Sequence, residues 1–310
     1  MIITVSLNPA MDKSVTVAGF TVDAVNRVLS SRVDAGGKAI NVAKIAKVLG
    51  GEPLATGIIG GNAGRFFQQQ LDEMGIRHDF VVSEHSTRTN TKITDNLRHT
   101  TTELNEPGAP VTEELLEQVW KKIDSVAKAG DTVVFAGANP PAMADDVLAK
   151  WIAALREKGV TTALDTVGEA MRLGIEAMPS TIKPNLAELS EIFGEELHYI
   201  RDIIAAGRQM LQKGIKRVVV SMGGDGALFM TKDQVLRAYG LKIELGSTVG
   251  SGDAMMAAIL YFTEKGMAWE DAVRWSIATS AANAMCEGSR TPSIAVIEEL
   301  EKQVVVEKLM

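Results

Sequence analysis

Short, continuously apolar runs alternate along most of the chain with segments whose apolar residues recur at helical spacing. IITVSL at 2–7 opens as a strand. Residues 38–49 then place Val42, Ile45, Ala46 and Leu49 on one helical face, with Gly50 and Gly51 set to end the helix. LATGII at 54–59 reads as the next strand. Phe67, Leu71 and Met74 repeat the helical spacing over 62–74 before Gly75. Further strands are predicted at 131–137 (DTVVFAG), 160–165 (VTTALD), 180–185 (STIKPN) and 217–221 (RVVVS), with a helix through Trp151 and Leu155. Strands that are apolar throughout suit a sheet covered on both faces. Strand–helix alternation therefore predicts an α/β chain built on a mainly parallel sheet.

Two segments break this rhythm. Residues 13–34 contain SVTVAGF and RVLSSRV, and residues 87–104 contain TRTNTKIT and HTTTEL. Both alternate polar and apolar positions with period two, and neither carries a helical pattern. Each also concentrates cations: Lys13, Arg27 and Arg32 in the first, Arg88, Lys92 and Arg98 in the second. They are expected to form four strands of a small extra sheet, assembled from two distant excursions out of one main domain spanning 1–310. Two surface hairpins with solvated charges are the simpler alternative.

Composition narrows the function classes. The 310 residues are 46% hydrophobic and 23% charged, as in an ordinary globular protein. A formal charge of −7 argues against a broad nucleic-acid surface but leaves room for a local basic pocket. The lone cysteine, Cys286, excludes an internal disulfide and reads as a buried thiol. His78, His85, His99 and His198 lack metal-ligand spacing. MIITVSLNPAMDK reads as a strand rather than a basic leader, and no apolar run approaches the roughly 18 residues needed to span a bilayer, so a cytoplasmic location is expected.

In an α/β sheet, ligands bind at the carboxyl ends of strands. No G-x-G-x-x-G follows a strand, so an NAD-dependent oxidoreductase lacks its fingerprint, and no P-loop motif is present. TVGSGDA at 248–254 is the first candidate. Gly250 and Gly252 let successive N–H groups turn to one side, and the apolar run that follows propagates as a helix with a positive N-terminal end. Asp253 falls in its first turn, where it either caps the helix or takes a proton from a hydroxyl beside a bound phosphate. In DAGGKAIN, Gly36 and Gly37 precede a helix that carries Lys38 and Asn41 one turn apart; Lys38 opposes the helix dipole unless an anion is near. In NPAMD, Asp12 at the end of the first strand is either a turn residue or a carboxylate for sugar hydroxyls. In TIKPNLAEL, Asn185 caps a helix bearing Glu188. In SMGGDGALF, Gly223, Gly224 and Gly226 form a tight strand-to-strand turn.

The succession NPAMD, AGGKAIN, TRTN, DTVGEA, IKPNLAEL, SMGGDGAL and TVGSGDAM, in this order over essentially the whole chain, resembles the PfkB, or ribokinase-like, family of sugar kinases. SLNPAMD, STRTNTKIT and TTTELNEPG look most like its 1-phosphofructokinase and tagatose-6-phosphate kinase branch. The resemblance implies a three-layer α/β/α fold with a β-sheet lid that covers the sugar and pairs two subunits in many members. It implies Asp253 as catalytic base and the amides of Gly250, Ser251 and Gly252 as an anion hole. Asp12 and Asn41, with Gly36 and Gly37, match residues at the sugar. Lys38, Arg27 and Arg88 match the basic residues around the substrate's own phosphate. Lys183, Asn185, Glu188, Ser221, Gly223, Gly226, Thr248 and Asn283 match the nucleotide side, Glu188 facing magnesium indirectly and Asn283 lying near the adenine. ATP and Mg²⁺ are the implied cofactors, and K⁺ beside the GSGD loop is a family possibility.

Three departures from the family pattern stand out: Ala39 replaces a glycine of GGKG, Ala138 replaces a serine that contacts the sugar phosphate, and GAGDS has become GSGDA. The expected function is ATP-dependent phosphorylation of fructose 1-phosphate at its 6-hydroxyl. The alternatives are tagatose 6-phosphate as acceptor and a non-catalytic sugar-phosphate or nucleotide sensor on a kinase fold. The substrate is expected to be a small sugar phosphate, with no nucleic acid or membrane partner and a lid-mediated homodimer left open.

Overall fold

Alternation along each strand distributes side chains to two cores, and this makes the main body a three-layer structure. The computed structural model describes residues 1–288 and 290–310. β1 (Ile2–Ser6) leads into β2 (Ala10–Val17) and β3 (Val28–Gly36), followed by α1 (Lys38–Val48), β4 (Leu54–Gly60), α2 (Gly61–Glu73) and β5 (Arg77–Ser83). The second excursion supplies β6 (Arg88–Asp95) and β7 (Thr100–Asn105). Next come α3 (Glu113–Val126), β8 (Thr132–Ala136), α4 (Val147–Glu157), β9 (Thr161–Asp165), α5 (Gly168–Glu176), β10 (Thr181–Ile182), α6 (Leu186–Phe193) and α7 (Ile200–Gln212). The chain closes with β11 (Arg217–Ser221), β12 (Ala227–Met230), β13 (Val235–Ala238), α8 (Ser251–Glu264), α9 (Trp269–Ala284), α10 (Ile294–Glu301) and β14 (Val306–Lys308).

The main sheet has the order β14-β13-β12-β11-β10-β9-β8-β1-β4-β5. It is parallel from β5 to β11 and antiparallel from β11 to β14. Ile3, Val5, Val218 and Val220 enter one core, under α3, α4 and α7, while Ile2 and Val219 enter the other, under α1, α8, α9 and α10. Residues Ala254–Leu260 of α8 are all buried, so that helix is apolar all round, as a helix sunk between the sheet and two neighbours must be. Phe67, Phe135 and Phe229 are the largest fully enclosed side chains; truncating one such residue to alanine costs about 3–5 kcal/mol. Among the described residues, no helix is long and apolar enough to cross a membrane.

The two excursions form one four-stranded sheet of order β3-β2-β6-β7. Parallel pairing of β2 with β6 joins them, with Asp12 opposite Asn90 and Ser14 opposite Lys92. The lid strands reach further than the expected 13–34 and 87–104, because pairing continues to Ala10, Gly36 and Asn105. Asp12 consequently lies within the lid strand β2 and not in a turn at the end of β1. STIKPN shrinks to a two-residue strand at Thr181–Ile182 plus an isolated bridge from Asn185 to Ser221, since Pro184 has no N–H for the ladder. β5, β13, β14, α3, α5, α7, α9 and α10 lay outside the pattern-based assignment. Cys286 is half-buried, not buried, with its thiol directed at the Ala282 carbonyl; burial pushes the thiol's pKa up, as befits an inert thiol.

One side chain organises the lid's tip. Asp95 ends β6 and accepts hydrogen bonds from the N–H groups of Gly19, Phe20, Leu97 and Arg98. Desolvation opposes its charge, but these four donors outweigh it and hold its pKa down at about 2. The stability this carboxylate contributes is therefore complete above about pH 4 and is lost as pH falls toward 2. We expect Asp95→Ala to speed amide exchange at Gly19, Phe20, Leu97 and Arg98 while leaving exchange in β1 and β8 unchanged. Unaltered exchange at the lid tip would contradict this role.

Candidate active site

The strand ends, the first turns of α1, α6 and α8, and the inner face of the lid enclose a cavity of about 510 Å³. That volume suits a small-molecule ligand. Its walls include Asp12, Gly37, Lys38, Asn41, Arg88, Lys183, Asn185, Glu188, Ser221, Gly250, Gly252 and Asp253. Residues from positions 12 to 253 thus converge on one space. A second cavity of about 330 Å³ shares Asn185 and Ser221 and adds Gly223, Asp225, His198 and Arg237.

At the floor, α8 starts without a side-chain cap. Gly250 takes φ 76°, a left-handed conformation that favours glycine, and a Cβ there would meet Asn41 Nδ2 at 3.3 Å and Asn283 Nδ2 at 3.4 Å. Ser251 N–H reaches the Thr248 carbonyl and Ala254 N–H the Gly250 carbonyl. Among the described residues, no acceptor meets the N–H of Gly250, Gly252 or Asp253, and the Ser251 hydroxyl oxygen is buried with no partner. Open donors at a helix N-terminus form an anion site. A Cβ on Gly252 would lie 3.0 Å from Lys183 Nζ, so glycine lets that ammonium lie close against the turn. The N–H and ammonium donors fit the phosphates of a nucleotide; a divalent cation beside them would need oxygen ligands, and the carboxylate of Glu188 lines the same cavity.

Asp253 is 6% exposed, and its Oδ2 accepts a hydrogen bond from Asn41 Nδ2 at 2.8 Å. Behind it lies Asp165, 1% exposed at the end of β9. Asp165 Oδ1 lies 2.7 Å from Lys38 Nζ and Oδ2 lies 3.0 Å from Lys183 Nζ. Burial first, and then the charge of Asp165, push Asp253 up to about 6, against the pull of Asn41, Lys183 and Lys38. Desolvation works against Lys38's charge too, but Asp165, Glu188 and Asp253 overcome it and raise its pKa. Lys183 and Lys38 likewise overcome burial to hold Asp165 low.

Glu188 completes a capping box on α6: its Oε2 accepts the Asn185 N–H and Asn185 Oδ1 accepts the Glu188 N–H, both at 2.8 Å. Its other oxygen, Oε1, lies 3.7 Å from Lys38 Nζ. On the lid side, Asn90 Nδ2 donates to Asp12 Oδ1 at 3.5 Å. A Cβ on Gly36 would fall 2.2 Å from Asp12 Oδ2, so Gly36 makes room for that carboxylate and does not itself line the wall. Gly37, at φ 103°, starts α1. Arg88 is half-buried and donates to the carbonyls of Asn8 and Glu106.

Several expected site residues stand apart from the cavity. Arg27 occupies an exposed turn between β2 and β3, outside the walls of either cavity. Thr248 is exposed and contributes its carbonyl to the turn before α8. Asn283 is 6% exposed and holds the Val249 carbonyl at 2.8 Å, bracing the GSGD turn from behind. Gly226, at φ 91°, is packed against the Ala238 carbonyl within the hairpin. Of the two alanine departures, Ala138 lines the cavity, whereas Ala39 is fully enclosed in α1 and its methyl group does not reach the wall.

The structure adds wall residues that motif reading passed over: Asn8, Asn90, Lys92, Glu103, Asn105 and Asp165. Asp165 ends the apolar run VTTALD, where a strand's carboxyl end meets a ligand. Asn90 and Lys92 follow Arg88 at the period of a strand face, which is the signal that could have found them.

The model of the pfkB family of carbohydrate kinases matches residues 6–295. The 1-phosphofructokinase of Rhodobacter capsulatus is 35% identical, covering 99% of this chain and 98% of its own length. That of Bacillus subtilis is 32% identical over 100% of both. Among solved structures, the phosphofructokinase-2 of Escherichia coli in complex with potassium superposes with a TM-score of 0.93 at 26% identity, covering 97% of this chain and 98% of its own; a tetrameric inhibited form of that enzyme is also similar.

The electrostatics carry a pH signature. A base of pKa about 6 is active only when deprotonated, so kcat/KM should fall about tenfold per pH unit below 6 and level off above it. Stability has the opposite sign. A carboxyl whose pKa is raised on folding favours the folded state while protonated, and that contribution is lost as pH rises through about 6. Asp253→Asn should therefore melt above the unmodified protein at pH 8, with the gap closing below pH 5. Thermal scans that show no pH-dependent gap would contradict the environment assigned to Asp253.

Proposed function

The chain belongs to the pfkB family of carbohydrate kinases, and on that footing we propose that it transfers the γ-phosphoryl group of ATP to the 6-hydroxyl of fructose 1-phosphate, giving fructose 1,6-bisphosphate and ADP. One observation carries the reading: a buried, basic carboxylate, Asp253, adjoins open N–H donors at the start of α8 in a cavity that also presents cations to an anionic sugar. The full-length similarity to 1-phosphofructokinases supports fructose 1-phosphate over tagatose 6-phosphate.

Asp253 accepts the proton of the sugar hydroxyl as that oxygen bonds to phosphorus and the bond from phosphorus to the bridging oxygen of ADP breaks. Asn41 orients the carboxylate through its hydrogen bond. The N–H groups of Gly252 and Asp253, with Lys183, stabilise charge on the transferring group, an arrangement formed before substrate arrives. Lys38, tethered to Asp165, adds a second positive charge near Asp253. Asp12 and Asn90 are positioned to hold sugar hydroxyls. Magnesium, when bound, would neutralise phosphate charge, and Glu188 Oε1, the oxygen outside the capping box, would help hold it. A monovalent cation site is proposed beside the GSGD turn. There, hydrogen bonds from Gly246 and Ser247 to the Ala284 carbonyl bring two loops together, and a potassium-bound relative supports it.

The lid's exposed apolar residues support pairing of two subunits through it. Val22 is 83% exposed and Val25 87% in the connection between β2 and β3, Leu29 63% on β3, and Leu97 70% in the turn between β6 and β7. Such pairing would also give Arg27, which its own cavity does not use, a route to a neighbouring site. We expect a dimer by sedimentation velocity, and a monomer for a Val25→Glu, Leu29→Glu variant; a monomeric unmodified protein would remove the proposal.

The activity is tested by ADP release with Mg–ATP, with and without K⁺, against fructose 1-phosphate, tagatose 6-phosphate, fructose 6-phosphate and fructose. Turnover should be fastest with fructose 1-phosphate, and Asp253→Asn should lose about 10²- to 10⁴-fold in kcat. Preference for another acceptor would correct the substrate, and full activity in Asp253→Asn would remove the base.

A further inference from the structure

We propose that Lys92 recognises the phosphate ester of the sugar substrate and sets the preference for a phosphorylated over an unphosphorylated sugar; this rests on reading the cavity as a sugar-phosphate kinase site. Arg88, Asn90 and Lys92 stand at alternate positions of β6 and therefore share one face of the lid, and all three line the cavity that contains Asp253. One ligand can thus meet Asp253 and Lys92 together.

Four cations line this cavity: Lys38, Arg88, Lys92 and Lys183. Three are engaged by the protein itself. Lys38 and Lys183 both hold Asp165, and the Arg88 guanidinium is occupied by the carbonyls of Asn8 and Glu106. Lys92 is only 9% exposed, yet among the described residues no hydrogen bond or ion pair engages its ammonium group. The other buried lysines differ: Lys183 has Asp165, and Lys44 donates to the Ala35 carbonyl. The carboxylate directly opposite on β7, Glu103, also lines the cavity, but its Oε2 accepts from Asn105 Nδ2 at 3.3 Å and it makes no ion pair with Lys92.

An ammonium that lines the cavity and, among the described residues, is engaged by no protein group is available to an anion that enters. The anion that separates a sugar phosphate from a sugar is its ester. The phosphoryl group of ATP has its own donors at the start of α8, so Lys92 is left for the sugar. A point charge on the lid also ties recognition to lid position, because the ester must sit under β6 for the ammonium to reach it.

The test compares the unmodified protein with Lys92→Gln, using fructose 1-phosphate and fructose as acceptors and a thermal melt of each protein without ligand. Loss of a charge-assisted hydrogen bond should raise KM for fructose 1-phosphate roughly 10- to 100-fold, with kcat changed far less, and the preference over fructose should fall by a similar factor. The variant should melt close to the unmodified protein, because no hydrogen bond or ion pair within the described residues is lost. Unchanged KM and preference would overturn the assignment. So would a variant that melts far lower or does not fold, since Lys92 would then serve lid packing. If the unmodified protein ignores fructose 1-phosphate but uses tagatose 6-phosphate, the substrate reading falls, and the same comparison on that ester against tagatose still decides the role of Lys92. Equal use of phosphorylated and plain sugar by the unmodified protein would leave no ester preference to explain and would also overturn it.

Discussion

Asp165 holds two lysines from opposite sides, and the arrangement of the whole cavity follows from that contact. Its carboxylate is nearly inaccessible to water, and each of its oxygens faces one ammonium group. Removing a single partner from a buried pair strands a charge and costs about 3–5 kcal/mol, so the three groups are fixed together. They come from the end of β9, the start of α1 and the link between β10 and α6. One carboxylate therefore ties three distant parts of the chain together beside Asp253. It also raises the proton affinity of Asp253 while keeping two cations near it, which suits a base acting beside a highly charged donor.

The second constraint is the close approach of α1 and α8. Asn41 on the first helix orients Asp253 on the second, and the turn before α8 passes close to Asn41 and Asn283 with Gly250 in the left-handed conformation that favours glycine. This proximity depends on the apolar surface of α8, which lets it sink between the sheet and its neighbouring helices. Packing energy thus places the helix, and the helix end then supplies open donors without any capping side chain competing for them. The same logic explains Gly36, whose missing side chain admits the Asp12 carboxylate.

The lid adds a different kind of control. Its strands come from two excursions that pair only with each other, and it has no sizeable core beneath it. Asp95 ties its tip through four backbone donors. What it brings to the cavity is polar: Asp12 and Asn90 in hydrogen-bonding contact, and Lys92 with none. The body thus supplies Asp253, Asp165 and the open helix start, and the lid supplies the polar side chains that face them across the cavity.

Much of this was legible in the sequence because it depends on neighbours along the chain. Period-two alternation disclosed the four lid strands, helical spacing disclosed α1 and α2, and GSGD before an apolar run disclosed a helix start with Asp253 in its first turn. The capping pair Asn185 and Glu188 was equally local. Tertiary structure alone decided which residues meet. Asp165 was merely the last residue of VTTALD until β9, α1 and β10 came side by side. Lys92 was one of several lid cations until its neighbours proved to have partners and it did not. Asn283 donates to the Val249 carbonyl and braces a turn, and Arg27 stands outside the walls of both cavities. Local pattern reports hydrogen bonding and amphipathicity within a segment; burial and charge pairing are sums over groups far apart in sequence, and only the folded chain evaluates them.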